Sequence, residues 1–294
     1  MATSRWKFLH AARRSTLWGV RRCAETALDL VAAAAQRADR CVTSEGNPLP
    51  RERVVCVHCT AADGRIIIVG DVHGCADELH ALLDRCHYRR GRDVIVCAGD
   101  VVNKGPRSVD VVRFLRGEGA LAVRGNHDEA ALAYATGIKR VSTKSQWAWT
   151  ARLNADDRAW LRELPFAIVL PQHDVVVVHA GVVPGVALEE QCLRDFITMR
   201  SLSVRNKAQR DGRARYYADE APASTGSWAN AWEGPEHIVF GHDARAGLQR
   251  YEHATGIDSA CVYGHELSAL LLPGHDVVSV AAARNYARDA TDSG

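Results

Sequence analysis

The sequence predicts an α/β fold, classed as α+β in some schemes, in which two packed β-sheets form a sandwich flanked by helices. Short apolar runs rich in Val and Ile recur along the chain, and most of them end at a glycine-containing motif. Such runs are typical of buried strands in a sandwich or a parallel sheet. Two strand–loop–helix–strand units also follow one another early in the chain. This order indicates a βαβαβ arrangement with ligands at the carboxyl ends of the strands.

The predicted strands are the runs at residues 65–69, 93–98, 119–123, 174–178, 237–240, 260–263, 267–272 and 276–281. One helix is predicted after the first strand, because apolar residues recur there at helical spacing from Leu79 to Cys86. A second helix is predicted after the next strand, with Ser108 as its cap and Gly117 as its stop. Residues 129–165 show no strand alternation and are predicted to be helical up to a terminating proline. The long connection at 186–236 between two predicted strands, called the excursion below, has a length that is usually functional or disordered.

The N-terminal segment differs from the rest of the chain. Residues 1–42 carry several basic residues before the first acidic residue, Glu25. An Arg-rich, acid-free and amphipathic N-terminus is typical of a mitochondrial presequence. The alternative is a solvated basic arm on a cytoplasmic protein. Residues 43–53 have the Gly, Asn and Pro content of a linker. We therefore expect a basic extension and linker over 1–53, one catalytic domain over 54–285 and a tail over 286–294.

Composition narrows the class of protein. A chain of 294 residues with 47% hydrophobic and 24% charged residues is typical of a globular protein with ample core. The net charge of +2 does not predict a nucleic-acid partner. No apolar stretch approaches the ~20 residues of a membrane-spanning helix. The nine cysteines are odd in number and scattered, which indicates reduced thiols. Cys56 and Cys59 have zinc-knuckle spacing but no second pair, so free thiols are favoured there.

Five short motifs carry most of the functional information, and each follows an apolar run. They are GDVHG (70–74), GDVVNKGP (99–106), RGNHD (124–128), HAG (179–181) and GHD (241–243). Each strand end thereby delivers a carboxylate, imidazole or amide to one edge of the sheets. These oxygen and nitrogen ligands without thiolate suit a pair of divalent cations. The candidate metal ligands are Asp71, His73, Asp100, Asn126, His179 and His242.

The order of the five motifs resembles that of the calcineurin-like metallophosphoesterases of the phosphoprotein-phosphatase superfamily. The sequence is more similar to the ApaH-like phosphatases than to the protein serine/threonine phosphatases. GDVVNKGP stands where protein phosphatases end in Asp-Arg-Gly, and the segments 241–249 and 256–274 match the ApaH-like tail. The likeness covers roughly residues 64–282. It implies the metallophosphoesterase fold and two divalent metal ions, with Mn expected and Fe, Zn or Co as alternatives.

The resemblance also implies a role for each ligand. Asp71 and His73 would join Asp100 on the first metal, and Asn126, His179 and His242 would join it on the second. Two cations about 3.5–4 Å apart lower the pKa of a bridging water and neutralise developing phosphoryl charge, which makes a metal-bound hydroxide the expected nucleophile.

The catalytic residues are expected beside the metals. His127 follows a ligand directly, and we assign it as the general acid to the leaving oxygen. Asn103 stands where protein phosphatases carry an Asp, and we expect its amide oxygen to orient His127. An uncharged orienter favours leaving groups of low pKa, so anhydrides are favoured over phosphoesters.

Three cations are candidate phosphate ligands. Lys104 stands at the Arg position of the protein-phosphatase pattern, Arg124 precedes the GNHD motif, and Arg200 resembles an Arg of the ApaH-like branch. The basic cluster at 200–215 is interpreted as a solvated face, or alternatively as a rim that steers polyphosphate or an RNA 5′ end. Trp228 and Trp232 are interpreted as a packing pair rather than as stacking surfaces for a base.

The sequence therefore predicts a dinuclear metal-dependent phosphatase acting on phosphoanhydrides: polyphosphate, dinucleoside polyphosphates or the mRNA cap. A protein serine/threonine phosphatase is the alternative. A catalytically inactive binding module is disfavoured because the ligand set and His127 are intact. The oligomeric state is not indicated.

Overall fold

The structure is a computed structural model that describes residues 42–59, 64–143, 145–204, 216–220 and 226–289. The prediction of a mitochondrial presequence lies outside these residues, as does most of the basic cluster at 200–215. Within the described part of the chain, no helix has both the length and the apolar character that crossing a membrane requires.

A five-stranded sheet is built around the first two motifs. Its strands are β2 (Ile66–Val69), β3 (Val94–Cys97), β4 (Leu121–Ala122), β12 (Glu266–Leu272) and β13 (Asp276–Ala281), in the order β13-β12-β2-β3-β4. Strands β2, β3 and β4 are parallel, whereas β12 runs antiparallel to both of its neighbours. Helices α1 (Ala76–Arg85) and α2 (Ser108–Glu118) connect the parallel strands, so the predicted βαβαβ arrangement is confirmed.

A six-stranded sheet is built around the last two motifs. Its strands are β1 (Val54–Cys56), β5 (Ala167–Leu170), β6 (Val175–Val178), β9 (His237–Phe240), β10 (Gln249–Arg250) and β11 (Ala254–Gly256), in the order β1-β5-β6-β9-β11-β10. The central pairs β6–β9 and β9–β11 are parallel. The carboxyl ends of β6 and β9 therefore open at one edge of the sheet.

The two sheets pack face to face, which confirms the predicted sandwich. Alternate residues of both inner faces form a buried layer that includes Ile66 and Ile68 from one sheet and Val175, Val177 and Val239 from the other. A second buried cluster lies between the five-stranded sheet and its helices, and a third covers the outer face of the six-stranded sheet. This burial on both sides explains why the strands are continuous apolar runs.

The helices begin and end differently from the prediction in two places. Ser108 is the first residue of α2 rather than its cap, and its hydroxyl accepts a hydrogen bond from the backbone N–H of Asn103 at 2.9 Å. The helix continues through Gly117 to Glu118 and is capped by Gly119, whose φ of +67° is the left-handed conformation that glycine adopts most readily. The predicted cap and stop were therefore both wrong.

The region 129–165 is helical in three pieces rather than throughout. Helix α3 spans Asn126–Ala135, a 3-10 turn spans Ala148–Arg152 and α4 spans Ala155–Glu163. The excursion at 186–236 contains α5 (Leu193–Thr198) and a two-stranded sheet of β7 (Ser201–Val204) and β8 (Tyr216–Asp219), flanked by 3-10 turns at Leu188–Glu190 and Trp228–Ala231. The strand predicted at 260–263 is wrong, because this segment forms a hydrogen-bonded turn.

The segments predicted as a linker (43–53) and as a tail (286–294) both contain residues that pack against the domain. Asn47 is fully buried and donates from its side chain to the backbone carbonyl of Glu129 at 2.7 Å, so the segment before residue 54 is not a free linker. At the other end, α6 (Tyr286–Asp289) places the Tyr286 hydroxyl 2.7 Å from the Glu78 carboxylate. The domain described by the structure therefore extends beyond 54–285 on both sides.

Candidate metal centre

The six predicted metal ligands converge at one edge of the sandwich. The five motifs place them after β2, β3, β4, β6 and β9, at the ends where parallel strands deliver side chains to a common edge. The ligands are contributed by both sheets. They are Asp71, His73, Asp100, Asn126, His179 and His242, and all but Asn126 and His242 are buried.

Asp100 occupies the centre of this arrangement. One carboxylate oxygen, Oδ2, lies 3.6 Å from Nε2 of His73, and the other, Oδ1, lies 3.5 Å from Nε2 of His179. The backbone N–H of His127 donates to Oδ1 at 2.8 Å. The two oxygens therefore face imidazoles from different sheets, as a carboxylate shared by two cations would.

Two groups of donors surround Asp100. On one side, Nε2 of His73 lies 3.9 Å from Oδ2 of Asp71. On the other, Nε2 of His179 lies 3.1 Å from Oδ1 of Asn126. Ligand atoms of Asp71, Asp100 and His179 lie within 4.8 Å of one another, as do those of His73, Asp100 and His127, so Asp100 belongs to both groups. The arrangement can hold two divalent cations with Asp100 between them.

The His242 ring lies beside His179, with the ring centroids 5.0 Å apart in an edge-to-face arrangement. Its Nε2 is 3.2 Å from the carbonyl oxygen of Thr198 at the end of α5. With Nε2 donating to that carbonyl, Nδ1 is the nitrogen left to bind a cation. The backbone N–H of His242 also lies 3.2 Å from Oδ1 of Asp71.

Backbone carbonyls set the orientation of two ligand imidazoles. Nδ1 of His73 lies 3.1 Å from the carbonyl oxygen of Val102, and Nδ1 of His179 lies 2.9 Å from that of Ala98. An Nδ1–H that donates to a carbonyl leaves the Nε2 lone pair free for a metal. Both Nε2 atoms face Asp100, so the rings are already oriented as ligands.

The glycines of the motifs permit the close approach of these side chains. A Cβ on Gly125 would collide with the Asp100 carboxylate, and a Cβ on Gly241 would collide with that of Asp71. The ligands themselves adopt strained backbone: φ is +46° at His73, +48° at Asp100 and +72° at His242. Left-handed conformations at residues other than glycine cost free energy and concentrate at functional sites.

Burial keeps the ligand imidazoles neutral. Desolvation lowers the pKa of His73, His179 and His242, for His73 and His242 well below the usual value. Burial also acts to raise the pKa of Asp100, but His179, His127 and His73, which are protonated at the acid pH where Asp100 would titrate, outweigh it and hold that pKa below its usual value. Neutral imidazoles and an ionised central carboxylate are the forms that bind divalent cations.

The carboxylates around Asp100 repel one another. Burial, followed by the charges of Asp258 and Asp100, raises the pKa of Asp71 well above its usual value. Burial likewise raises the pKa of Asp258 to about 6. The charge of Lys104 acts to lower the pKa of Asp71, Asp100 and Asp258, but a bound dication would stabilise such a cluster of buried acids further. The donor set therefore fits divalent metal ions.

His127 lies at the edge of the cluster, with its ring centroid 4.9 Å from that of His73. Burial lowers the pKa of His127 to about 4, although the Asp100 charge opposes this shift. Its Nδ1 is 2.9 Å from Nδ2 of Asn103, and Oδ1 of Asn103 accepts from the Trp149 indole N–H at 3.4 Å. The amide nitrogen, rather than the predicted amide oxygen, therefore faces His127.

This arrangement determines which nitrogen of His127 carries the proton. An amide N–H that donates to Nδ1 requires that nitrogen to accept, so the proton resides on Nε2. A carboxylate in place of Asn103 would hold a proton on Nδ1 instead. In this arrangement the neutral His127 ring carries its N–H at Nε2.

A cavity of about 540 Å³ lies above the ligand cluster. Two of the three predicted phosphate-binding cations line it. The Lys104 ammonium is 3.0 Å from Nε2 of His73, and Nε of Arg200 is 3.8 Å from a carboxylate oxygen of Asp243. Both cations can therefore contact a phosphate at the ligand cluster.

Arg124, the third predicted phosphate ligand, lies elsewhere. Its side chain is fully buried, and its guanidinium pairs with Glu129 at 2.9 Å, donates to the carbonyl of Arg162 and stacks on the Phe166 ring. It does not line the cavity. The phosphate-binding prediction for Arg124 was wrong, because the residue before the GNHD motif turns into the core instead of toward the metals.

Several residues of the site escaped the sequence analysis. Asp258 is buried beside Asp71 and lines the cavity two residues after β11, a strand too short to be recognised. Asp128 accepts from the backbone N–H groups of Val101 and Gly125 and thereby fixes the loops that carry two ligands. The rest of the cavity wall includes Glu220, Arg245, Tyr263 and His265.

Trp228 and Trp232 have the packing role that the sequence indicated. Both side chains are buried, and the indole N–H of Trp228 donates to the carbonyl oxygen of Ala180 at 2.9 Å. Neither residue lines the cavity. Trp228 instead supports the loop that follows His179.

Comparisons with known proteins show which family the chain resembles. A family model described as calcineurin-like phosphoesterase matches residues 64–278. A symmetrical bis(5′-nucleosyl)-tetraphosphatase of Psychromonas ingrahamii is 31% identical over 74% of this chain and 96% of its own. The enzyme of that name from Escherichia coli is 31% identical over 69% of this chain and 89% of its own. Both relatives are bacterial, so they do not support a mitochondrial location.

Solved structures show the same relationship. A crystal structure of a protein assigned as a diadenosine tetraphosphatase superposes with a TM-score of 0.70 at 39% identity, covering 79% of this chain and 98% of its own. A protein serine/threonine phosphatase of Saccharomyces cerevisiae superposes with a TM-score of 0.53 at 16% identity, covering 86% and 89%. The second likeness is one of fold alone.

Proposed function

The chain belongs to the calcineurin-like phosphoesterase family, and from that premise we propose that it hydrolyses phosphoanhydrides at a site holding two divalent metal ions. Dinucleoside polyphosphates are the foremost candidate substrates, and inorganic polyphosphate and the mRNA cap are the others. The observation that carries the proposal is the position of Asp100, whose two carboxylate oxygens face His73 and His179 at 3.6 and 3.5 Å.

The ligands divide into two sets that share Asp100. Asp71, His73 and Asp100 would hold one cation, and Asp100, Asn126, His179 and His242 would hold the other. What the bound cations supply is a lowered pKa for water and neutralisation of charge on the phosphoryl group. The mixed carboxylate, imidazole and amide donors suit Mn²⁺, with Fe, Zn or Co as alternatives.

His127 would donate a proton to the leaving oxygen from Nε2. Its low pKa of about 4 makes the imidazolium, which is the acid form, scarce near neutral pH. An acid that is rarely protonated gives little help to an alkoxide leaving group. A phosphate leaving group has a low pKa and needs less protonation. This chemistry favours anhydrides over phosphoserine or phosphothreonine.

Lys104 and Arg200 would bind the phosphate chain. The Lys104 ammonium lies beside the first set of ligands, and the Arg200 guanidinium lies beside Asp243, which directly follows His242 of the second set. Cations on both sides of the cluster would hold a phosphate chain across the two metals. Positive charge in a recessed site also attracts polyanionic substrates.

The test is hydrolysis by the purified full-length chain with Mn²⁺ on four substrates: diadenosine tetraphosphate, inorganic polyphosphate, capped RNA and a phosphothreonine peptide. We expect turnover of at least one anhydride with a kcat/KM well above that for the peptide. Chelation should abolish turnover, and added Mn²⁺ should restore it. A clear preference for the phosphopeptide would instead identify the chain as a protein phosphatase.

A further inference from the structure

Tyr263 is an exposed aromatic residue at the entrance of the cavity. Its side chain is 39% exposed, and it carries the only benzene-type ring among the described residues that line the cavity. The remaining lining side chains are charged, polar or imidazole groups, apart from two alanines. An aromatic ring at the mouth of a phosphate-binding site offers a flat apolar surface that phosphate groups do not need.

The ring is carried by a fixed turn rather than by a loose loop. The backbone N–H of Tyr263 donates to the carbonyl oxygen of Ala260 at 3.0 Å, and that of Gly264 donates to Cys261 at 2.9 Å. Cys261 and Val262 are buried directly before Tyr263. An antiparallel bridge to Asn285 holds the turn from the other side. A rigid aromatic surface loses little conformational freedom when a ligand stacks on it.

The ring is also close to the reacting centre. The ammonium of Lys104 lies 5.3 Å from the centroid of the Tyr263 ring and 3.0 Å from Nε2 of the metal ligand His73. One lysine therefore connects the first metal position with the ring. A phosphate chain bound by Lys104 would bring a nucleoside at its end within reach of Tyr263.

The described part of the cavity rim carries charges of both signs. Among the described lining residues, Arg200 and Arg245 occur together with Glu220 and Asp243. Asp243 lies 3.8 Å from Arg200 and offsets part of its charge. Uniform positive charge would suit polyphosphate. A mixed rim with one flat ring suits a short phosphate chain that ends in a base.

We propose that Tyr263 stacks against a nucleobase of the substrate and thereby selects nucleoside polyphosphates over inorganic polyphosphate. The inference rests on the proposed phosphoanhydride hydrolysis and specifies the substrate class of that site. Tyr263 is a specificity-determining residue in this account, because it contacts the base and takes no part in the bond cleavage. Base–aromatic stacking is sequence-tolerant, so adenine and guanine should both be accepted.

The test compares diadenosine tetraphosphate with inorganic tripolyphosphate as substrates of wild-type, Y263A and Y263F protein loaded with Mn²⁺. We expect Y263A to reduce kcat/KM for diadenosine tetraphosphate, relative to tripolyphosphate, by roughly 5- to 100-fold through a higher KM, as loss of one stacking contact does. Y263F keeps the ring and should stay within about twofold of wild type. The matched control is Y217A, because Tyr217 is similarly exposed at 37% but does not line the cavity.

The outcomes separate this inference from the proposed function. If wild type cleaves diadenosine tetraphosphate and Y263A leaves the substrate ratio unchanged, the stacking role is overturned while anhydride hydrolysis stands. An equal loss of kcat/KM on both substrates also overturns the stacking role. The ring would then act through Lys104 on the phosphates, which both substrates share. If wild type cleaves neither compound under conditions where it cleaves a phosphopeptide, the proposed function and the stacking role both fail.

Discussion

The floor and the rim of the cavity differ in how they are built. The floor consists of the six predicted metal ligands, which follow strand ends and are mostly buried. The rim consists of Arg200, Glu220, Arg245, Tyr263 and His265, which come from the excursion and the loops around β10 to β12. Backbone hydrogen bonds orient the side chains of the floor, and the glycines of the motifs leave the space that these side chains occupy. The rim is formed by exposed side chains whose contacts can change without disturbing the sheets.

This difference separates the chemical step, which we assign to the floor, from substrate preference, which we assign to the rim. Electrostatic interactions are strong in the buried floor, because water does not screen them there, so each ligand should be indispensable. Interactions at the exposed rim are individually weak and graded. Changes in the floor should therefore abolish chemistry, whereas changes in the rim should alter substrate preference. Five substitutions test this contrast.

The largest effect is expected for Asp100→Ala. The substitution removes the carboxylate that faces both His73 and His179, so we expect loss of metal binding together with loss of turnover. Metal analysis and steady-state kinetics on the same preparations measure this. Asp110→Ala is the control, because Asp110 is an exposed carboxylate paired with Arg107 on α2. An active Asp100→Ala protein with normal metal content would refute the shared-ligand assignment.

His127→Ala should retain metal but lose most turnover. General acid–base groups contribute roughly 10²- to 10⁴-fold to rates, and for an anhydride we expect a loss in kcat toward the lower end of that range. The loss should be smaller for an anhydride than for a phosphomonoester, because the anhydride has the better leaving group. A near-normal rate in metal-loaded His127→Ala protein would contradict the assigned proton donor.

Arg124→Met should reduce stability rather than substrate binding. Removing one partner of a buried ion pair leaves Glu129 unpaired, which typically costs about 3–5 kcal/mol in free energy of unfolding. Chemical denaturation measures this cost. The double variant Arg124→Met/Glu129→Gln should recover part of it, because no lone charge remains. A normal unfolding free energy with a raised KM would revive the phosphate-binding interpretation.

The sequence predicted the floor better than the rim for a physical reason. A strand end followed by glycine fixes both the position and the direction of the next side chain, so the ligands from Asp71 to His242 were recognisable. The direction of Arg124 depends on the tertiary position of Glu129 and Phe166, which the motif does not contain. Tyr263 lies in a turn directly after two buried residues, and its apolar segment was indistinguishable from a strand.

Secondary-structure elements were likewise predictable only where the sequence itself carries a sufficient pattern. Long apolar runs such as β6 and β12 were predicted correctly, because burial on both faces leaves a strong pattern. Strands of two or three residues, such as β10 and β11, carry too few residues to show a period. Cap positions were wrong at α2, because Ser108 bonds the loop that carries Asn103 instead of the helix start.

Arg200→Ala tests the rim and should have a moderate effect. Arg200 is partly exposed and lies beside Asp243, so its loss should raise KM for a phosphoanhydride about tenfold, as expected for one hydrogen bond to a charged group. The value of kcat should change less than KM. Initial rates over a range of substrate concentrations separate the two. A collapse of kcat comparable to that of His127→Ala would place Arg200 in the floor rather than the rim.

The smallest effect is expected for His237→Gln, on β9 away from the cavity. Burial, followed by the charge of His275, lowers the pKa of His237 from 6.5 to about 4. The folded protein therefore holds this ring neutral while the unfolded chain protonates it, so stability is lost as pH falls from about 6.5 toward 4. His237→Gln should show a shallower loss of unfolding free energy across that window in urea titrations. An unchanged slope would contradict the assigned pKa shift.

The claim on which the account depends is that the floor holds two cations with Asp100 between them. Metal analysis of wild-type protein, reconstituted with Mn²⁺ and then desalted, tests it most directly. We predict two Mn²⁺ ions per chain. A protein that retains no metal, or only one ion at full activity, would contradict the account.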